Sequence, residues 1–216
     1  MLTAPAAAFA VTFLSLFPIV NPIGNLPVFA SLTEGFAKQT RQRQVLLTSA
    51  YVAIVLVVAA VAGRPILHAL GISLGALEVA GGVIVGHTAL MMVLGDQQRM
   101  AYAEGVHASS GAGDQPPDIA FVPMTMPLLA GPGAIGAAIG LATRAKGAGA
   151  VAGIAGGIVA LSVIVLVILS FGDGLLLRLG RKGTDALTRL FGFLTLAIAV
   201  ELITHGALAL APALRG

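Results

Sequence analysis

The chain has 216 residues, of which 57% are hydrophobic and only 10% are charged, and its mean hydropathy is +0.99. A soluble domain carries about 25% charged residues, so this composition excludes a water-soluble fold and requires a bilayer around the chain. The lack of cysteine excludes a disulfide framework, a thiolate metal site and an iron–sulfur cluster. The net charge is only +3, and the 12 Lys and Arg residues are spread over loops between apolar runs. This distribution is typical of residues that orient a protein in the membrane and not of a nucleic-acid-binding surface.

Six apolar runs are long enough, at about 20 residues each, to cross a bilayer as helices. In chain order they cover residues 4–32, 45–62, 72–94, 119–143, 147–171 and 190–210. Two of the runs contain a cluster of three prolines: Pro18, Pro22 and Pro27 in the first, Pro123, Pro127 and Pro132 in the fourth. Proline removes a backbone donor and clashes with the preceding turn. We therefore predict six transmembrane helices, of which helices 1 and 4 are broken at Pro/Gly motifs.

Lysine and arginine are divided unequally between the two sides of these spans. The loops between spans 1 and 2, 3 and 4, and 5 and 6 hold eight of them, and the opposite side holds four. The positive-inside rule then places both termini outside the cytoplasm. The polar segment 96–118, rich in Gly, Ser and Pro, is predicted to be a cytoplasmic linker between a three-helix unit at 1–95 and another at 119–216.

The two halves of the chain resemble each other when one is shifted by 109 residues. This shift places Pro18 on Pro127 and Gly24 on Gly133, and it superimposes the two broken runs. Because each half has an odd number of spans, the halves must have opposite orientations in the membrane. The predicted fold is therefore an all-α membrane protein of two inverted three-helix repeats. Such repeats form a substrate site from broken helices near the bilayer midplane.

The two breaks supply the predicted solute site. A freed helix N-terminus binds a carboxylate, and a C-terminus binds an ammonium group or a cation. Asn21 and Asn25 flank the first break, where each amide either binds the solute or caps an open helix end. The glycines admit a solute or allow close helix packing. The residues predicted to bind the solute are Asn21, Pro22, Gly24, Asn25, Thr125, Gly131, Pro132 and Gly133.

Four ionisable residues, Glu78, His87, Glu201 and His205, lie inside apolar spans, where a charge is costly and marks a functional candidate. Glu201 and His87 are predicted to lie deepest, whereas Glu78 and His205 lie close enough to span ends to reach interfacial water. Glu78 and His87 are nine residues apart and face opposite ways, while Glu201 and His205 share a face. Glu201, His87 and Glu78 are candidate proton-coupling groups, and the alternative for each is a structural role.

Residues 21–29 (NPIGNLPVF) and 127–135 (PLLAGPGAI) resemble the MarC family of bacterial inner-membrane proteins. The runs 80–82 (AGG) and 192–194 (GFL) are similar to that family as well, and the likeness extends over essentially the whole chain. The resemblance implies a six-helix protein of the inner membrane, related to the LysE-type exporters. It also implies, by analogy, transport of neutral amino acids.

We predict a secondary transporter of a small solute, with neutral amino acids as the expected class. Its partners are the solute and the bilayer, with a homo-oligomer left open, and no cofactor, metal or nucleic acid is expected. An alternative is a metal-ion or other small-solute exporter or channel of the LysE-like superfamily, although the spans hold only two carboxylates, Glu78 and Glu201. A minor alternative is an intramembrane enzyme. Because zinc-protease and Gly-x-Gly-Asp motifs are missing, no enzyme is predicted.

Overall fold

The computed structural model describes residues 4–94 and 117–211, and these residues fold into helices and short connections. The helices are α1 (Pro5–Val20), α2 (Leu26–Leu32), α3 (Lys38–Ala69), α4 (Leu74–Leu94), α5 (Ala120–Leu129), α6 (Pro132–Arg144), α7 (Ala148–Ser170) and α8 (Gly172–Leu210). The predicted linker at 96–118 lies outside the described residues except for its last two positions.

Four helices are long and apolar enough to cross a membrane: α3, α4, α7 and the Asp185–Leu210 part of α8. Helices α5 and α6 satisfy the same criterion together, as one span bent by 64°. Helix α1 is apolar, but its 16 residues rise only about 24 Å, less than the ~30 Å hydrocarbon core. The described part of the chain is thus an all-helical membrane protein with four to five candidate spans.

Two helices extend beyond their predicted spans. Helix α3 begins at Lys38 rather than at residue 45, because residues 38–44 are mostly Lys, Arg and Gln, which favour helix and tolerate water. Helix α8 begins at Gly172 and changes direction at Gly180, whose φ of 61° suits glycine. The predicted span at 190–210 therefore lies within the second of two helical parts that meet at Gly180.

Glycines set the closest helix contacts. Helix α8 packs along α4, where a Cβ on Gly206 would lie 2.6 Å from the carbonyl oxygen of Gly75. Helix α7 packs along α1, where a Cβ on Gly157 would lie 2.8 Å from the carbonyl oxygen of Phe9. Lipid tails are as apolar as leucine, so small residues that bring backbones together are a main source of helix association in a bilayer. These two seams hold the first and last helices against the core.

Candidate functional site

The first helix break, at residues 21–25, is closed by the side chain of Asn21. This residue ends α1 in the left-handed region, with φ 46° and ψ 63°, which asparagine tolerates better than most residues. Its Oδ1 accepts a hydrogen bond from the Gly24 N–H at 3.1 Å, and its Nδ2 donates to the Met92 sulfur at 3.4 Å. A Cβ on Gly24 would overlap the Asn21 amide. Glycine at position 24 therefore makes room for this cap.

Asn25 satisfies the carbonyls that the first break leaves open. Because the Gly24 N–H bonds to a side chain, the Val20 carbonyl lacks its usual helical donor. Asn25 Nδ2 lies 3.1 Å from this oxygen, 3.1 Å from the Asn21 carbonyl oxygen and 3.4 Å from that of Leu128 in α5. The side chain therefore joins the first break to the second. The hydrogen bonds of both asparagines close the end of α1, and solute binding by either one stays a prediction.

Thr195 of α8 is a third side chain that binds the backbone at the first break. The carbonyl of Pro18 lacks a helical donor because the residue four positions later is Pro22, which has no N–H. The Thr195 hydroxyl lies 2.8 Å from this oxygen and 2.6 Å from the carbonyl oxygen of Phe191 in its own helix. The sequence interpretation did not single out Thr195. Its one signal was a hydroxyl inside the sixth apolar run.

The second break, at Ala130 and Gly131, has no side-chain cap. Helix α5 ends with hydrogen bonds of π-helical spacing, such as Ala130 N–H to the Thr125 carbonyl at 2.8 Å, and α6 starts after the extended residue Gly131. A Cβ on Gly131 would overlap the Pro127 carbonyl oxygen. The first N–H groups of α6 have no partner within the helix. These N–H groups can therefore donate hydrogen bonds to a neighbouring group or to a ligand.

A cavity of about 330 Å³ lies against the start of α6. It is lined by Ile19, Asn21, Ile84, Val85, Thr88, Met91, Met92, Pro127, Leu128, Leu129, Gly131, Pro132, Gly133, Ala134 and Thr195. Most of these side chains are apolar, and the polar ones are the amide of Asn21 and the hydroxyls of Thr88 and Thr195. Pockets for small metabolites have this size and this mixture of apolar walls and few polar groups. The lining carries no charged side chain.

Half of the predicted solute-binding residues line this cavity, namely Asn21, Gly131, Pro132 and Gly133. The other half, Pro22, Gly24, Asn25 and Thr125, do not line it. The first three of those form the turn of the first break. Thr125 is fully buried in α5, with its hydroxyl 2.7 Å from the Ala120 carbonyl oxygen and 3.4 Å from that of Thr48. Sequence reasoning missed Thr88, Met91 and Met92, which lie on the cavity face of α4.

The ionisable residues occupy positions that differ in part from those predicted. Glu78 was expected to reach water but is 4% exposed, because Gly140 lets α6 approach it and Arg144 Nη2 lies 3.2 Å from its Oε1. His87 is exposed on the opposite face of α4, as the spacing predicts. Glu201 is 69% exposed on the surface of the helix bundle, and its predicted depth in the membrane stays a prediction.

Glu201 and His205 share a face of α8, as predicted, and pair through Oε1 and Nε2 at 3.0 Å. Arg144 Nη2 lies 2.9 Å from the other ring nitrogen of His205, Nδ1. A continuous chain of polar contacts therefore runs from Glu78 on α4 through Arg144 on α6 to His205 and Glu201 on α8. Among the described residues, no three His, Cys, Asp or Glu side chains are grouped to hold a metal ion.

Comparisons with known proteins agree on one family. The model of the MarC family of integral membrane proteins matches residues 6–211. A UPF0056 membrane protein of Methanocaldococcus jannaschii is 36% identical over 199 residues, which cover 92% of this chain and 95% of the relative. The UPF0056 inner membrane proteins MarC of Citrobacter koseri and Salmonella typhimurium are 34% and 32% identical over 200 residues, covering 89% of this chain and 90% of each relative. No solved structure gives a significant match. The chain belongs to the MarC family of integral membrane proteins.

Proposed function

We propose that this protein is a secondary transporter of a small solute across the inner membrane, and that the solute is a neutral amino acid. The observation that carries the proposal is the cavity at the uncapped start of α6. Two of the relatives are named inner membrane proteins, which supports the location. Their names give no solute, so the solute class rests on the family resemblance and is supported by the chemistry of the cavity.

The cavity offers a complementary surface to each part of an amino acid. The N-terminus of α6 carries the positive end of the helix dipole and open N–H groups at Gly133 and Ala134, which suit a carboxylate. The hydroxyls and the Asn21 amide provide acceptors for an ammonium group. The apolar walls, including Met91 and Met92, accommodate a side chain without charge. A solute with net charge would lack a counterion among the lining residues.

The helices also support the arrangement that alternating access requires. We propose that α1 with α2 and α5 with α6 are corresponding broken spans of two inverted three-helix repeats, with both termini outside the cytoplasm. The contact of Asn25 with Leu128 joins the two breaks, as expected where repeats meet.

The predicted orientation can be tested by labelling. The chain has no cysteine, so single introduced cysteines report topology directly. An impermeant thiol reagent should label Lys146→Cys and spare Gln39→Cys in intact cells, and the reverse pattern would reject this orientation.

Transport is tested with purified protein in liposomes. Labelled alanine and other neutral amino acids are offered with and without a pH gradient, and saturable uptake is expected. Thr88→Phe fills the cavity and should abolish uptake. Thr204→Phe is its matched control, because both hydroxyls bond to their own helix at 3.0 Å but Thr204 lies outside the cavity. Absence of flux for every neutral amino acid would reject the proposed solute class. Equal flux in Thr88→Phe and Thr204→Phe would reject the cavity as the solute-binding site.

A further inference from the structure

The polar contacts of His205 with Arg144 and Glu201 select one tautomer of its neutral ring. A guanidinium group can only donate hydrogen bonds, so the nitrogen 2.9 Å from Arg144 Nη2, His205 Nδ1, must be an acceptor without a proton. The proton of the neutral ring is then on Nε2, where it is donated to Glu201 Oε1 at 3.0 Å. Both ring nitrogens are therefore occupied, and an added proton has one place to bind.

We propose that His205 is a proton-binding site, and that its protonation releases the C-terminal end of α6 from α8. One proton from water binds the lone pair of Nδ1, and the hydrogen bond from Arg144 to this nitrogen is lost. The imidazolium keeps its contact with Glu201, and Arg144 keeps Glu78. The four side chains carry one net negative charge before the proton binds and none afterwards, so protonation removes an excess charge from the cluster.

Histidine is the one member of this cluster that normally titrates between pH 5 and 8. The groups facing it are Arg144 from α6 and Glu201 from its own helix, and Glu78 from α4 lies behind Arg144. Helix α6 has no other ionisable residue, and the other one on α4, His87, is on the exposed face away from the cluster. Lys146 follows in the turn after α6. Glu78, Glu201 and His205 are therefore the titratable groups of the cluster besides Arg144.

Helix α6 connects this cluster to the cavity. Gly133 lines the cavity, and Arg144 lies eleven residues further along the helix, roughly 16 Å away. Between them, Gly136 and Gly140 face α4, where a Cβ would lie 3.8 Å from Gly81 Cα and 3.3 Å from Glu78 Oε1. Helix α6 also packs on α3, where Ile139 lies against Gly63. The polar contacts at Arg144 add to this packing and join the C-terminal end of α6 to both α4 and α8.

The connection to transport rests on the proposed function, but the proton site can be tested without any solute. Amide hydrogen exchange of residues 132–144 is measured in lipid nanodiscs at about pH 8 and about pH 5, corrected for the chemical exchange rate. Nitrogen NMR of labelled histidine follows the ring in the same samples. We expect protonation of His205 to accompany a loss of protection in α6 of about tenfold, the size of one charge-assisted hydrogen bond.

Two substitutions fix the opposite states. His205→Asn places an amide oxygen near the Nδ1 position, so α6 should stay protected at both pH values. His205→Arg keeps a positive charge, so α6 should be less protected at both. His68→Gln, an exposed histidine at the end of α3, is the control and should behave like the wild type. Exchange of α7 reports whether each variant is folded, and the wild-type pH series decides the question where a variant does not fold.

Equal protection of wild-type α6 at both pH values would overturn the proposal. A pH response that survives in His205→Asn would overturn it as well. Neither readout uses a solute, so failure here is distinct from failure of the proposed function. A pH-dependent α6 without amino-acid flux would reject transport alone, and flux with an unresponsive α6 would reject this site alone.

Discussion

At the first break, between α1 and α2, two buried asparagine amides bind backbone groups of the turn and of the helix end. At the second break, between α5 and α6, the start of the following helix has no side-chain cap and faces a cavity. Asn21 and Asn25 are 2% and 1% exposed, whereas Pro132 is exposed at the mouth of its break. The same combination of proline and glycine thus gives a closed break and an open one.

The difference shows what each residue type contributes. Proline interrupts a helix in both places, but the fate of the freed groups depends on whether a neighbouring side chain can reach them. The asparagines reach them at the first break, which therefore works as a fixed anchor. The glycines at the second break have no side chain to do so. They bring α6 against α4 and leave its first N–H groups available to a ligand.

The anchor role of Asn25 predicts the largest loss of stability. Asn25→Ala removes the side-chain donor shared by the Val20, Asn21 and Leu128 carbonyls and should lower the free energy of unfolding by about 3 kcal/mol, because the Val20 and Leu128 carbonyls lose this donor. The Asn21 carbonyl keeps the backbone N–H of residue 25. Ser162→Ala is the control, since that hydroxyl bonds only to a carbonyl of its own helix. Equilibrium unfolding in mixed micelles measures both. Equal losses would mean that the first break does not depend on this amide.

The packing role of Gly133 predicts a smaller loss that a second substitution repairs. A Cβ at this position would overlap Val85, so Gly133→Ala should cost about 2 kcal/mol through overpacking between α6 and α4. Combining it with Val85→Ala should recover most of that cost, which a double-mutant cycle measures. Gly174→Ala meets no atom within 4 Å and should cause no loss. An additive cycle would show that the two residues do not contact each other.

The smallest effect is expected at Thr195, which supports the first break from α8. Thr195→Val keeps the shape but removes the donor to the Pro18 carbonyl, and it should cost about 1 kcal/mol. Thr204→Val provides the comparison, since its hydroxyl bonds to its own helix alone. If the two variants had the same unfolding curve, the Thr195 hydroxyl would not stabilise the first break.

The sequence was sufficient to locate both breaks, because proline and glycine act through the local backbone and need no partner. The same holds for the faces of α4 and α8, where the spacing from Glu78 to His87 and from Glu201 to His205 is a local property. The extra turns at the start of α3 were missed. The prediction followed hydrophobicity alone, although residues 38–44 are good helix formers.

Long-range partners could not be predicted in this way. Arg144 was counted as a loop charge, and its contacts with Glu78 and His205 depend on how α6 crosses α4 and α8. The choice between binding and capping at Asn25 was likewise undecided, since the Leu128 carbonyl lies 103 residues away. Thr125 was chosen for its place beside the second break, but it lies within α5, with its hydroxyl on the backbone of α5 and α3. Each of these depends on tertiary packing.

The central claim, that the open break binds the solute, is tested most directly by solute protection of a cysteine in the cavity. The chain lacks native cysteine, so Thr88→Cys is the sole target of a thiol reagent, and Thr204→Cys is the matched control outside the cavity. We predict that a neutral amino acid slows modification of Thr88→Cys and leaves the rate at Thr204→Cys unchanged. Equal rates with and without every neutral amino acid at Thr88→Cys would contradict the claim.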